Sequence, residues 1–313
     1  MIEVQPLTDS SSLIGNAEAL RQRWEEDGVL FLRDVMDPEL IGWAREKYRE
    51  ALASHKMIDP SQEAPVWTGV KPEVRPFSSL GPSVWKKVVA QPELHALMRD
   101  IFNAEPVWIP IAVYRTSMPS GPLQAGADIF FGRHQDGFWN EGMQFSTAWI
   151  PLRKIGLNEG NFAVAPGYHN RGILHSPVPD HPLPADKIPS DAWRAADFRV
   201  GDVLIFHFMT PHATLPNPSN LIRLSLDVRA IPVWAPQPVV GTVDHVDGTD
   251  VTIKTDEGTL ETVHISDRTY IRDRMPIPRV PTHELQRIAY PGSRVMAMAG
   301  NDRLATVLRP SSN

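Results

Sequence analysis

Between residues 107 and 230 the chain is a succession of short apolar stretches, each halted by glycine, proline or aspartate before a helix of ordinary length can form. The stretches fall at residues 108–116, 130–136, 144–151, 162–165, 171–174, 198–206 and 222–230, with a glycine- and proline-bearing loop at 117–127. So many strands with so few helices between them leave little choice of architecture. An open sheet of that size would expose long edges of unpaired N–H and C=O groups, so the sheet must double on itself or close. The expectation is a mainly β chain built on a double-sheet jelly roll.

What flanks this region is of a different kind. Asn16 is placed to cap a helix reaching about Asp27, with Leu20 and Trp24 on one face and Gly28 as its stop. Residues 29–32 follow as a buried strand. Asp37-Pro38 supplies an N-cap and first turn for a second helix to about Ser54, residues 58–82 are expected to be irregular, and a third helix runs from Pro92 to Phe102. These N-terminal helices buttress the outer face of a sheet.

The proline count of 30 is about twice the usual ~5%, and much of it is concentrated. Residues 176–189 cannot enter a sheet centre and are expected as a long loop at the barrel mouth. Residues 231–238 read as a boundary. Beyond them, stretches at 239–246, 250–255, 261–266 and 294–298 or 304–308 alternate around the turns Asp247-Gly248, Glu257-Gly258 and Asn301-Asp302. The expected organisation is therefore a domain of residues 1–235 and a small C-terminal β domain of residues 236–313. The second carries no chemical motif; it is expected to cover the site or to form a homodimer contact.

Composition excludes several classes. A net charge of −6 without long basic runs argues against nucleic-acid binding. No apolar run approaches the ~18 residues of a transmembrane helix, and residues 1–15 lack a basic segment followed by an apolar one, so no membrane role and a cytoplasmic location are expected. The absence of cysteine removes disulfides, thiolate metal sites and thiol nucleophiles.

The chemistry is concentrated in two stretches. His134 and Asp136 lie two apart in Phe131-Gly-Arg-His-Gln-Asp-Gly-Phe-Trp-Asn-Glu-Gly-Met143, and extended backbone would point both to one face. The second stretch, beginning Gly201-Asp202, ends an apolar strand with Pro211-His212-Ala-Thr214 and is followed eleven residues after His212 by Arg223. Two imidazoles and a carboxylate form the facial triad that suits non-heme iron(II). His207, inside the same strand, competes with His212 for the distal position. His169, His175 and His181 read as loop histidines.

With Ala148-Trp149, Asn158-Glu-Gly160, Ala165-Pro-Gly-Tyr-His169 and Asn220-Leu-Ile-Arg223 in the same order, the chain over roughly residues 19–233 resembles the phytanoyl-CoA dioxygenase-like family of iron(II)/2-oxoglutarate-dependent dioxygenases. The resemblance implies the double-stranded β-helix, with Fe(II) on His134, Asp136 and His212, and 2-oxoglutarate and O2 as cosubstrates. It implies Arg223 as the partner of the distal 2-oxoglutarate carboxylate, with Arg229 as runner-up. Thr214, Trp149 and Thr116 are implied around that cosubstrate, and Arg115, Phe138 and Trp139 around a small-molecule substrate. The reaction implied is hydroxylation or another outcome of the same oxidant, with succinate and CO2 released. Halogenating relatives replace the carboxylate ligand by a small residue, so Asp136 implies that no halide is transferred. A cupin-like isomerase without 2-oxoglutarate, or a non-catalytic binding protein, are the other classes compatible with the fold.

Overall fold

The structure, a computed structural model, describes residues 4–73, 76–77, 80–124, 126–176, 183–273 and 279–311. A two-residue strand β1 (Gln5–Pro6) precedes α1 (Ala17–Asp27), β2 (Val29–Leu32), α2 (Pro38–Ser54), α3 (Ser83–Val89) and α4 (Pro92–Phe102). There follow β3 (Pro106–Ser117), β4 (Phe131–His134), the single turn α5 (Asp136–Trp139), β5 (Ser146–Pro151), β6 (Phe162–Val164), β7 (Arg194–Ala195), β8 (Val203–His207), β9 (His212–Thr214) and β10 (Arg223–Pro232). The C-terminal part holds β11 (Gln237–Asp247), β12 (Asp250–Thr255), β13 (Leu260–His264), β14 (Tyr270–Ile271), β15 (Arg294–Ala299) and β16 (Ala305–Pro310).

The helix ends are set by local chemistry. The Asn16 side chain accepts from the Ala19 N–H at 3.1 Å and Asp37 accepts from the Glu39 N–H at 2.9 Å, each such cap contributing ~1 kcal/mol. Gly28 closes α1 at φ 63°, and its missing Cβ leaves room for the His169 ring, which a side chain there would strike at 2.4 Å. Helix α3 lies just past the stretch expected to be irregular and was not anticipated. Its Val84, Trp85, Val88 and Val89 are buried in the main core, so tertiary packing rather than a sequence cap holds it.

Two five-stranded sheets form the jelly roll, one ordered β2-β8-β5-β10-β3 and the other β1-β7-β6-β9-β4. The parity of the strands sorts the major sheet cleanly. Leu30, Leu32, Ala148, Ile150, Val203, Ile205, Leu224, Leu226 and Val228 face the helices in one core. Val29, Phe31, Trp149, Leu204 and Phe206 face the opposite sheet, meeting Phe162 and Val164. Each fully buried Leu, Ile or Phe here contributes roughly 1.5–3 kcal/mol, so the register that puts odd-numbered residues of β5 and β10 inside is strongly fixed.

Several expected strands differ. Residues 171–174 form no strand; Leu174 N–H donates instead to the Gln135 side chain. The stretch 130–136 ends as a strand at His134, because Asp136 opens a helical turn. In the stretch 198–206 the strand begins only at Val203, Phe198 making an isolated bridge to Ile155. Of the loop at 176–189, residues 177–182, including His181, lie outside the described residues.

The third sheet, β13-β12-β11-β15-β16-β14, has its own core of Val243, Val251, Ile253, Val263, Val295, Ala297 and Leu308. Both alternatives for its last strand, around 294–298 and 304–308, are present as β15 and β16. The sheet packs on the barrel through a cluster in which Met296, Met298 and Val307 meet Ile109, Met143, Phe145 and Ile231. Among the described residues no helix is long and apolar enough to cross a membrane.

Candidate active site

Strands β4 and β9 bring His134 and His212 directly opposite each other, with ring centroids 4.0 Å apart. Gln135 keeps extended backbone (φ −113°, ψ 128°), so the alternation carries one residue past the strand and delivers Asp136 to the same side. The Asp136 Oδ1 lies 3.7 Å from His134 Nε2 and 4.0 Å from His212 Nε2. The three ligand atoms all fall within 4.8 Å of one another, close enough to converge on one ion.

Each imidazole is oriented by the chain two residues back. His134 Nδ1 lies 2.6 Å from the Gly132 carbonyl and His212 Nδ1 lies 3.0 Å from that of Thr210. A carbonyl only accepts, so each Nδ1 carries a proton and each Nε2 is turned toward Asp136. Burial and the neighbouring His134 depress His212 to about 3, which keeps it neutral and ready to ligate. Burial alone would raise the Asp136 carboxyl. The Arg229 guanidinium, 2.9 Å from Oδ2, together with the two imidazoles holds it well below the usual carboxylate range.

Gln135 fastens the ligand loop. Its side chain donates to the carbonyls of Gly172 and Met209, each at 2.9 Å, and accepts from Leu174 N–H at 2.7 Å. Its own N–H donates to His175 Nε2 at 2.8 Å, and the His175 ring stacks on Phe138 at 4.1 Å. Gly137 has no room for a side chain: a Cβ would sit 2.5 Å from Met209 Sδ and 2.8 Å from the Phe208 ring. His207 is turned away from the triad, against Trp24 and His169, so His212 is the imidazole brought to the cluster.

Around this cluster the interior face of β10 presents Arg223, Ser225, Asp227 and Arg229. Arg223 is buried, donates to Ser225 Oγ at 2.6 Å and lies 5.7 Å from the Trp149 ring centre. Its Nε and the Trp149 Nε1 are both buried donors without an acceptor. Thr214 lies opposite Phe162 on the interior face, two residues past His212. Thr116 does not share that face: it pairs with Leu224 on the helix side, and Ser117, opposite Arg223, takes the interior position. Arg115 does point inward, donating to Asp227 at 2.8 Å. Phe138 and Trp139 are half-buried on the turn that starts with Asp136.

Some residues of the site had no signal in the sequence. Arg229 was only a runner-up for the cosubstrate, yet it is the partner of Asp136. Asp227 looked like an ordinary polar position, and Asn140, directly after Phe138 and Trp139, was a candidate for the substrate lining rather than a partner of distant arginines. Arg272 and Arg309 reach Asn140 from the third sheet, each at 3.0 Å, across separations that no local pattern encodes.

Residues 24–225, well over half of the chain, match the sequence model of the phytanoyl-CoA dioxygenase (PhyH) family. The chain belongs to this family. It is an iron/2-oxoglutarate-dependent oxygenase. A 1-deoxypentalenic acid 11-beta-hydroxylase of Streptomyces exfoliatus is 28% identical over 243 residues, covering 72% of this chain and 84% of that protein. In fold, the chain is similar to the epimerase SnoN, solved with Fe3+ and alpha-ketoglutarate (TM-score 0.51, 20% identity, 71% of this chain and 85% of that one). It is similar also to the carbocyclase SnoK of nogalamycin biosynthesis (TM-score 0.51, 19% identity, 79% and 89%). The residues present fit the PhyH cofactors. A triad of two imidazoles and an ionised carboxylate suits Fe(II), and the two unpaired donors, each costing about 1–3 kcal/mol when left bare, suit a carboxylate guest.

Proposed function

We propose that this PhyH-family oxygenase hydroxylates a small-molecule metabolite, releasing succinate and CO2. The observation that carries the reading is the pairing of an intact triad with a buried, under-partnered guanidinium on the same barrel interior. A cupin-like isomerase has no use for such a guanidinium, and a binding protein has no use for a triad with both imidazoles oriented onto one carboxylate.

Bound iron with 2-oxoglutarate and O2 supplies the oxidant that removes a hydrogen from the substrate. The chain supplies everything else. His134, Asp136 and His212 hold the ion, and Arg229 keeps Asp136 ionised and aimed. Arg223 pairs with the distal carboxylate of 2-oxoglutarate through a planar two-donor fork, with the Thr214 hydroxyl and the Trp149 N–H as further donors to it. Arg115, Phe138 and Trp139 line the substrate side, where the aromatic rings exclude water. The relative's action on 1-deoxypentalenic acid supports a compact, largely apolar substrate. We assign this machinery to residues 1–235 and treat residues 236–313 as a second domain.

The test is substrate-triggered turnover. Iron-loaded protein supplied with 2-oxoglutarate and a panel of compact alicyclic acids should consume O2 and form succinate in step with a product heavier by one oxygen. Carbon-oxygen incorporation from labelled O2 supports hydroxylation. Turnover of a substrate without any need for 2-oxoglutarate would overturn it.

A further inference from the structure

Beyond the span matched by the family, the third sheet brings two arginines to the end of the turn that Asp136 opens. Arg272 follows β14 and Arg309 belongs to β16; the Nη1 of each donates to the same oxygen, Asn140 Oδ1, at 3.0 Å. Asn140 is buried and its Nδ2 donates to the Asp136 carbonyl at 2.8 Å. It therefore caps the turn whose first residue is a metal ligand, about 6 Å along a helix axis at ~1.5 Å per residue. Through Asn140 the two guanidinium groups are tied to the turn that begins with the metal ligand Asp136.

Two cations sharing one neutral amide oxygen is an unbalanced arrangement. Among the described residues neither Arg272 nor Arg309 has a carboxylate within ion-pair distance, whereas most of the other interior arginines do: Arg115 has Asp227 and Arg229 has Asp136. Nor is this a sealed interface. Each guanidinium carries five donors and, among the described residues, is seen to use one. Both arginines are only partly buried, so solvent reaches them. Burial, with Arg272 and Arg229 nearby, depresses Arg309 to about 10, as expected where positive charge is in excess.

We propose that Arg272 and Arg309 form the anion-binding wall of the active site and receive a carboxylate of the substrate, so that the third sheet selects organic acids for the iron centre. The proposal rests on the iron/2-oxoglutarate reading of the triad. It commits to an acid with an apolar body: Phe138 and Trp139 stand two and one residues before Asn140 on the same turn, and Tyr270 and Val307, each two residues before one of the arginines, join the apolar cluster of Met143, Phe145 and Ile109. A carboxylate has two sources here, the substrate and 2-oxoglutarate, and the experiment separates them.

The experiment uses the full chain loaded with Mn(II) under anaerobic conditions, with binding read by tryptophan fluorescence and thermal shift. The probes are 2-oxoglutarate and, in its presence, adamantane-1-carboxylate against adamantane-1-carboxamide. The expected result is saturable binding of the carboxylate, at least tenfold tighter than the carboxamide. R272Q and R309Q, which keep a donor for Asn140, each weaken carboxylate binding on the order of tenfold or more while 2-oxoglutarate affinity stays within about threefold. R272K and R309K, which keep the charge, should recover part of the loss.

Equal binding of carboxylate and carboxamide by the unmodified protein, or no binding of the carboxylate at millimolar concentration, would overturn the proposal without recourse to variants. A fall in 2-oxoglutarate affinity larger than the fall for the probe would assign the pair to the cosubstrate and overturn it as well. Failure of the unmodified Mn(II) protein to bind 2-oxoglutarate is a separate result, which sinks the reading of the triad and of Arg223.

Discussion

Replacing Arg223 by methionine should move the ligand-free and ligand-bound stabilities in opposite directions. Burial lowers this guanidinium from its ordinary value to about 10, which at ~1.4 kcal/mol per pH unit is a penalty on the order of 3 kcal/mol on the folded state. For a base with a depressed folded pKa the penalty applies wherever the group is charged, so it is in force at every pH below about 10 and is relieved only above. Methionine keeps much of the volume and removes the charge. It also removes the 2.6 Å bond to Ser225, worth about 1.5–3 kcal/mol. The net is a ligand-free protein more stable by ~1 kcal/mol, a rise of a few degrees in Tm for a chain of this size. With Mn(II) present, 2-oxoglutarate at 100 times its Kd stabilises the unmodified protein by about 2.7 kcal/mol. Loss of the buried pair costs two to four decades of affinity, so the same concentration stabilises Arg223→Met by less than about 0.5 kcal/mol. Melting curves with and without 2-oxoglutarate should therefore cross between the two proteins. An Arg223→Met protein that melts lower without ligand and keeps its full response to 2-oxoglutarate would refute the assignment of Arg223.

Other expectations follow from the same geometry. His212→Ala should lose iron by metal analysis while His207→Ala retains it; the reverse result would move the distal ligand. Arg229→Met leaves Asp136 without its partner, and the metal-free protein should lose about 3–5 kcal/mol, much of it restored by Mn(II), which supplies the missing positive charge. The pH dependence has a definite sign. Because the Asp136 carboxyl is depressed, its contribution is present above the ordinary ~3.8 and lost as pH falls through the lowered value, so the acid unfolding midpoint of metal-free Arg229→Met should lie higher than that of the unmodified protein. Turnover in chloride or bromide buffer should yield products free of halogen, by mass spectrometry, since Asp136 occupies its position; a halogenated product would remove Asp136 from the ligand set. Truncation after residue 236 strips the cover from Ile109, Phe145 and Ile231, and should lower solubility and probe binding together, whereas a soluble, fully active fragment would show the third sheet to be dispensable.

The parts of the site legible in the sequence are those that chemistry ties to a short spacing. His134 and Asp136 must be neighbours for one ion, and His212 announces itself at the end of an apolar strand with Arg223 following at a fixed interval. Strand parity was the weak point. Thr116 and Ser117 differ by one residue and face opposite cores, and only the pairing with Arg223 and Leu224 decides between them. Arg229 was visible as a charge in an apolar strand, but its partner could not be named until β10 was set beside β5 and the ligand loop. The turn at Asp136 hid behind an alternation that Gln135 prolongs by a single residue. Arg272 and Arg309 were out of reach altogether. They meet Asn140 because a separate sheet docks there, and nothing local distinguishes them from surface arginines.

Each imidazole of the triad is oriented by the chain itself, tethered at Nδ1 to a carbonyl of its own strand or turn. A receptor completed in advance gains speed and loses choice. Loading needs no folding step, so it should be rapid, but the same readiness admits any divalent ion that accepts two nitrogens and an oxygen. The Irving–Williams order ranks cobalt, nickel, copper and zinc above Fe(II) for such a set. The identity of the metal is thus decided by supply rather than by the pocket. Protein passed over a nickel resin will emerge wearing nickel, and its activity will begin only after chelation and reloading with iron under reducing conditions.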